Sequence, residues 1–228
     1  MEVRVGDVVI LGGSAEHLAK SQRFWKIFDD LRDNRFVKIS LIEEKWSSWK
    51  KGELAFALFL VHFVDEDGNV RVNIVFCRSD AVAVFIVLKD RETQEKSVVL
   101  VEQLRVPAGQ KLLEIPAGGI EGNEDPLETT VREIQEEVGL HIEQKDLRFM
   151  GRYFLSPGAC NEKIFLYSCE IEMIEQEIKC FEGRLAGLHE EGEHIKVRLF
   201  PLNIFRGLGI RDAKTQLAYE LYLFGLEK

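Results

Sequence analysis

Glu133, Glu136 and Glu137 fall three and four positions apart in the chain. In a helix, such positions share a face, so their carboxylates project toward one region. Like charges this close repel and raise each other's pKa unless something neutralises them. A hard divalent cation with oxygen ligands does so. Mg2+ suits the purpose, because it is commonly held by a few carboxylates together with substrate phosphates. The neighbouring Arg132 keeps its charge at any physiological pH and can clamp a loop carboxylate such as Glu124. Upstream, Gly118 and Gly119 permit a tight loop. Acids on a surface helix are ordinarily just solvated. The loop glycines and the arginine at this spacing favour a metal site instead.

These residues need a helix and a loop to hold them. Pro116-Ala-Gly-Gly119 predicts a loop, and Asp125-Pro126-Leu127-Glu128 predicts a helix start. Asp125 serves as N-cap, Pro126 fits the first helical position, and Glu128 completes a capping box. Gly139 is placed to end the helix at C′. Elsewhere, residues 14–33 predict a short amphipathic helix. The turn signal Asp65-Glu-Asp-Gly-Asn69 joins strands at 54–64 and 70–77 into a hairpin. Ala81–Leu88 and Ser97–Gln103 read as buried strands, and further strands are expected near 147–155, 163–173 and 194–200. Leu217, Leu221 and Phe224 predict an amphipathic C-terminal helix over 213–226. Mixed strands with few helices give an α+β class, in the form of an α/β/α sandwich.

The run Gly118-x5-Glu124-x7-Arg132-Glu133-Ile134-x-Glu136-Glu137-x-Gly139-Leu140 resembles the Nudix hydrolase signature at every fixed position. A chance match is on the order of one in ten million per chain. Residues 74–226 look like the ADP-ribose pyrophosphatase and ADP-sugar diphosphatase branch. The matching pieces are Val101-Glu-Gln-Leu-Arg-Val106, Leu113-Glu-Ile-Pro-Ala-Gly118, Ser156-Pro-Gly158 with Glu162 following, and Gly187-Leu-His-Glu-Glu-Gly-Glu193. The resemblance implies a Nudix fold with a mixed sheet at 78–228, and an N-terminal helix and hairpin extension at 1–77 that serves dimerisation.

It also implies roles for individual residues. Glu133 and Glu137 would be principal metal ligands, Glu136 would ligate or support a second ion, and the Ala117 carbonyl would complete a site. Mg2+ is the expected ion, with Mn2+ as the alternative. Arg105 would contact the diphosphate or terminal ribose, with Glu114 near the same sugar. Arg78 would lie toward the nucleoside end, and Glu162 is a further substrate contact. Glu191 or Glu193 would be the general base, Glu191 aligning better with the family's base position. Gly118, Glu124, Arg132 and Gly139 are structural positions of the motif. Metals bridging pyrophosphate oxygens neutralise developing charge and orient water for in-line attack. A carboxylate base then takes the water proton. The products would be AMP and a sugar phosphate.

A net charge of -9 argues against nucleic acid or anionic membranes as partners, since both need a basic footprint. An RNA-decapping role is formally open to the superfamily, but the acidic charge and the absence of a basic aromatic groove count against it. UDP-glucose or GDP-mannose hydrolysis remains open, because base selectivity lies outside the motif. A non-catalytic sugar-nucleotide sensor is the reading from another class, although such modules usually lose motif acids that this chain keeps. Cys77, Cys160, Cys169 and Cys180 form no C-x-x-C pair, which suggests reduced thiols in a cytoplasmic protein. The N-terminal segment shows no signal-peptide pattern, and no apolar run is long enough to span a bilayer. His189 and His194 flank the acidic loop and read as solvent-exposed. A homodimer is expected, with residues 54–77 contributing.

Overall fold

The computed structural model describes residues 1–32, 37–50, 52–187 and 194–226. The chain divides into two compact units. One comprises Met1–Asp80 with Ser156–Lys163, and the other comprises Ala81–Leu155 with Ile164–Lys228.

The first unit contains β1 (Glu2–Val5), β2 (Val8–Leu11), α1 (Ala15–Lys20), α2 (Gln22–Arg32), β3 (Val37–Lys50), β4 (Glu53–Asp65) and β5 (Val70–Cys77). Its strands form one sheet in sequence order, with β2 and β3 parallel and the other pairs antiparallel. The single helix expected over 14–33 is two. Ser21 takes an extended backbone at the end of α1, and its Oγ accepts from the Phe24 amide at 3.2 Å, so one residue stops the first helix and starts the second. Phe24 and Phe28 from α2 pack edge-on against Phe59 of β4, with centroids 5.6 and 5.7 Å apart. The hairpin at 54–77 forms as its turn signal implies. Asp65 accepts from the Asn69 and Asp67 amides through Oδ1.

The second unit contains β6 (Ala81–Asp90), β7 (Lys96–Arg105), β8 (Gln110–Glu114), β9 (Ala117–Gly119), α3 (Pro126–Glu137), β10 (Arg148–Phe154), β11 (Lys163–Met173), α4 (Glu175–Lys179), β12 (Leu185–Ala186), β13 (Ile195–Pro201) and α5 (Ala213–Leu226). The sheet runs β10-β11-β6-β7-β13-β12, with β8 added to β7 and β9 to β6. It is mixed, since β11 lies parallel to β6 while β7 lies antiparallel to it. Strand β6 is apolar from Ala81 to Leu88 because both of its faces are covered there. Ala81, Ala83, Phe85 and Val87 pack under α5 with Ala218, Tyr219 and Tyr222. Val82, Val84, Ile86 and Leu88 pack under α3 with Ile134 and Val138. This is the α/β/α sandwich.

Three further local expectations are corrected. Pro116–Gly119 is not all loop, because Ala117, Gly118 and Gly119 pair antiparallel with Ala83, Val82 and Ala81. Asp125 caps α3 by accepting from the Leu127 amide at 2.8 Å, but among the described residues Glu128 makes no return bond and contributes only first-turn charge. In α5 the buried stripe is Thr215, Ala218, Tyr219 and Tyr222, while Phe224 is exposed and Leu217 and Leu221 only partly buried. That helix is apolar nearly all round, so its sequence does not say which stripe faces the sheet. No helix among the described residues is long and apolar enough to cross a membrane.

Candidate active site

The site is built where α3 crosses β9. The N-cap and Pro126 fix the start of α3, and Gly139 fixes its end. Gly139 sits at φ 75° and donates to the Ile134 carbonyl at 3.1 Å. Between these limits the helix presents two stripes. Thr130, Ile134 and Val138 enter the core. Glu133 and Glu137, one turn apart, are buried at 9% and 5% exposure. Acids this buried need partners. Glu137 Oε2 accepts from the Ala117 amide of β9 at 2.9 Å. Glu133 lies over Gly118, so closely that a Cβ built there would sit 1.9 Å from its carboxyl carbon. A side chain at position 118 would therefore displace the Glu133 carboxylate.

Arg132 has a larger role than clamping one loop acid. Its Nη1 reaches Glu133 at 2.8 Å and Glu136 at 2.9 Å. Its Nη2 reaches Glu124 at 3.2 Å and the Gly119 carbonyl at 3.3 Å. Despite partial burial, these acids push the guanidinium pKa above its ordinary value. Glu136 leans toward Arg132 and is less buried than Glu133 and Glu137. The acids thus divide into an inner pair and an outer member. Glu124 resists burial in the same way: desolvation raises its pKa, but bonds from Arg132 and Thr129 more than offset this and hold it below the usual range.

Among the described residues, no three acidic, histidine or cysteine side chains close around one point. The two inner carboxylates, with a carbonyl of the Ala117–Gly118 backbone, would make an all-oxygen donor set of low count. That set fits a hard divalent ion, which keeps several waters and takes substrate phosphate oxygens.

Arg105 and Glu114 are brought together. Arg105 Nε and Nη2 donate to Oε1 and Oε2 of Glu114 at 2.7 and 2.8 Å, a bidentate pair. Val99, Val101, Gln103 and Arg105 alternate onto one face of β7, and Val99 packs in the α3 layer. The charge of Glu137 reaches Arg105. The guanidinium pKa is raised first by its bond to Glu114, and further by the charges of Glu114, Glu137 and Asp212. Glu114 is 1% exposed. Burial pushes its pKa up, but Arg105 and Lys214 prevail and hold it below the usual range.

Lys214 was not anticipated from sequence. It is 7% exposed, pairs with Glu114, and lies 2.9 Å from Asp212. Asp212 caps α5 by accepting from the Thr215 amide at 3.0 Å, and Thr215 Oγ1 in turn accepts from the Ile115 amide at 2.9 Å. The only available signal was an aspartate three residues before Thr215 at a helix start.

Arg78 and Glu162 lie in the first unit and pair with each other at 3.1 Å. The Arg78 guanidinium sits over the Phe56 ring, 5.8 Å from its centroid. The Asn161 side chain accepts from the Arg78 amide at 2.9 Å and donates to its carbonyl at 3.1 Å, fixing 156–163 to the end of β5. Asn161 was also missed. Glu191 and Glu193, with His189, lie outside the described residues.

Comparison with known proteins adds the following. The NUDIX domain family model matches residues 79–219. Nudix hydrolase 14, chloroplastic, of Arabidopsis thaliana is 38% identical over 185 residues, covering 74% of this chain and 57% of its own length. The mouse ADP-sugar pyrophosphatase is 46% identical over 154 residues, covering 65% of this chain and 66% of that protein. The Bacillus subtilis ADP-ribose pyrophosphatase is 30% identical over 142 residues, covering 61% of this chain and 70% of its own. The chain therefore spans little more than half the length of the plant relative. A solved structure of an ADP compounds hydrolase superposes with a TM-score of 0.62 at 20% identity, covering 84% of this chain and 95% of the other, a likeness of fold.

Proposed function

Because this chain belongs to the NUDIX family, we propose that it hydrolyses the diphosphate bond of a nucleoside-diphosphate sugar. ADP-ribose or an ADP-sugar is the substrate class, and AMP and a sugar phosphate are the products. The observation that carries the proposal is the inner acid pair. Glu133 lies over Gly118 and Glu137 holds the Ala117 amide, so two buried carboxylates meet the backbone of one strand. The names of the mouse and Bacillus relatives favour the adenine class.

Glu133, Glu137 and the Ala117 carbonyl would hold a divalent cation, Mg2+ first and Mn2+ as the alternative, with Glu136 supporting a second ion. Such ions screen the charge of the diphosphate oxygens and so lower the barrier to attack by water. The chain's own residues supply the rest. Arg105, already oriented by Glu114, offers its remaining N–H groups to the diphosphate or the terminal ribose. Glu191, with Glu193 as the alternative, takes the proton of the attacking water. On the resemblance of their motifs, Arg78 would lie toward the nucleoside end and Glu162 would be a further substrate contact.

The test is turnover of ADP-ribose, ADP-glucose, UDP-glucose, GDP-mannose and Ap4A, with Mg2+ and with EDTA, beside Glu137→Gln. The expected result is metal-dependent cleavage of the adenine compounds. The variant keeps an oxygen acceptor for the Ala117 amide yet loses roughly 10²-fold or more in rate, equivalent to several kcal/mol of charge stabilisation. A folded protein that binds one compound and cleaves none points to a sensor instead.

A further inference from the structure

We infer that Lys214 is a positioning residue for the substrate-facing arginine, acting through buried Glu114. The inference rests on the functional reading above.

Its basis is a four-residue chain of alternating charge within the second unit: Asp212, Lys214, Glu114 and Arg105. The two central members are almost completely buried, at 7% and 1% exposure, while the Arg105 side chain is 41% exposed. A buried carboxylate with a single partner can rotate about that partner. Glu114 has two, since Lys214 takes Oε2 from within while Arg105 takes both oxygens from the open end. The carboxylate plane is thereby fixed, and with it the guanidinium fork that it anchors. Arg105 spends its Nε hydrogen and one Nη2 hydrogen on this anchor. Both hydrogens of Nη1 and the outer one of Nη2 remain for a ligand.

Charge points the same way. With Lys214 present the chain of four is neutral. Without it, Asp212 and Glu114 would outweigh Arg105 by one negative charge in a poorly solvated place. The arginine would then be drawn inward, and a diphosphate would meet net repulsion. The residue that prevents this sits on α5, about a hundred positions from Glu114 in sequence.

The placement of Lys214 also has structural worth, so stability alone cannot test the inference. The experiment compares wild type, Lys214→Met, Lys214→Arg, Arg105→Ala and the Arg105→Ala/Lys214→Met double variant. Steady-state kinetics on ADP-ribose with Mg2+ is one readout. The 15N-edited resonance of the Arg105 Nε–H, assigned by its loss in Arg105→Lys, is the other. Lys214→Met is expected to lower kcat/KM by about 10–100-fold, chiefly through KM, and to broaden the Nε resonance. Lys214→Arg is expected to restore much of both. In the Arg105→Ala background the same lysine change is expected to cost less than about twofold, because its route to substrate has already been removed.

An unchanged Nε resonance together with unchanged kcat/KM in Lys214→Met overturns the inference. Fully additive losses in the double variant overturn it too, since they mean that the lysine acts through the fold in general. A wild-type protein that cleaves none of the sugar nucleotides removes the functional reading. The Nε resonance still reports in that case whether Lys214 holds Arg105.

Discussion

The carboxylate of Glu133 occupies the space that a side chain at position 118 would need. The Glu133 carboxylate can rest over the strand backbone only because residue 118 has no Cβ. Gly118→Ala is therefore expected to push Glu133 aside. Because only the carboxyl end of a flexible side chain must move, the stability cost should fall at or below the low end of the roughly 1–3 kcal/mol typical of overpacking. Displacement of about 1 Å at a catalytic group costs roughly 10²-fold in rate. Activity should fall much further than the melting temperature. An alanine variant with wild-type kcat would show that the close approach is unimportant to the chemistry.

Acid should weaken the second unit through two of its carboxylates. In the folded protein, Arg105 and Lys214 hold the buried Glu114 carboxyl below the usual carboxylate range, and Arg132 and Thr129 do the same for Glu124. A depressed folded pKa gives stability that is fully present above the unfolded value and lost as pH falls through the folded one. Their contribution should stay constant from pH 7 to about 5 and decline below about 4.5. Urea midpoints at pH 7, 5 and 3.5 measure this. Glu114→Gln should show a shallower acid decline than wild type, and an equal decline would assign the effect to other groups.

Thiol reactivity should divide the cysteines in two. Burial pushes the Cys77 and Cys169 thiols up to about 12, whereas Cys180 is exposed and Cys160 partly so. A thiol is nucleophilic as its thiolate, so the buried pair should be inert near neutrality. Titration of the native protein with Ellman's reagent should consume two thiols, with four consumed in denaturant. Four fast thiols in the native protein would contradict the packing around β5 and β11.

Strand β5 lies at a sheet edge and turns Val70, Val72 and Ile74 outward at 74%, 48% and 56% exposure. An apolar edge of this kind is a template for pairing with another chain. We expect a homodimer that uses it. Light scattering should return twice the 26.2 kDa of one chain, and Ile74→Lys should shift the mass toward one chain. A wild-type monomer at micromolar concentration would end the expectation.

Much of this was legible in the sequence wherever the signal was local. Asp125, Pro126 and Gly139 mark the ends of α3 because capping is settled within a few residues. The apolar run of β6 marks a buried strand because both of its faces are covered. The spacing of Glu133, Glu136 and Glu137 puts them on one side of a helix, but it cannot show that Glu133 and Glu137 are buried while Glu136 is not, nor that Arg132 bridges Glu133 and Glu136. Lys214 was illegible because its partner lies in another element, and a lone lysine in a C-terminal helix reads as surface. The break at Ser21 was missed because apolar periodicity continues across it while one hydroxyl redirects the chain. The stripe of α5 was misjudged because a helix apolar on most sides has no preferred face until a sheet selects one.

Strand β6 supplies side chains alternately to both layers of the second unit. Inserting or deleting a single residue within it would exchange the α3 side for the α5 side along everything downstream in the strand. Its length is thus locked by two cores at once, and tolerated change there is confined to swaps of like size. The outer strands β10 and β12, at the two ends of the sheet order, carry no such double constraint. Relatives should therefore differ in length at the margins of this sheet and keep its middle strand count-for-count.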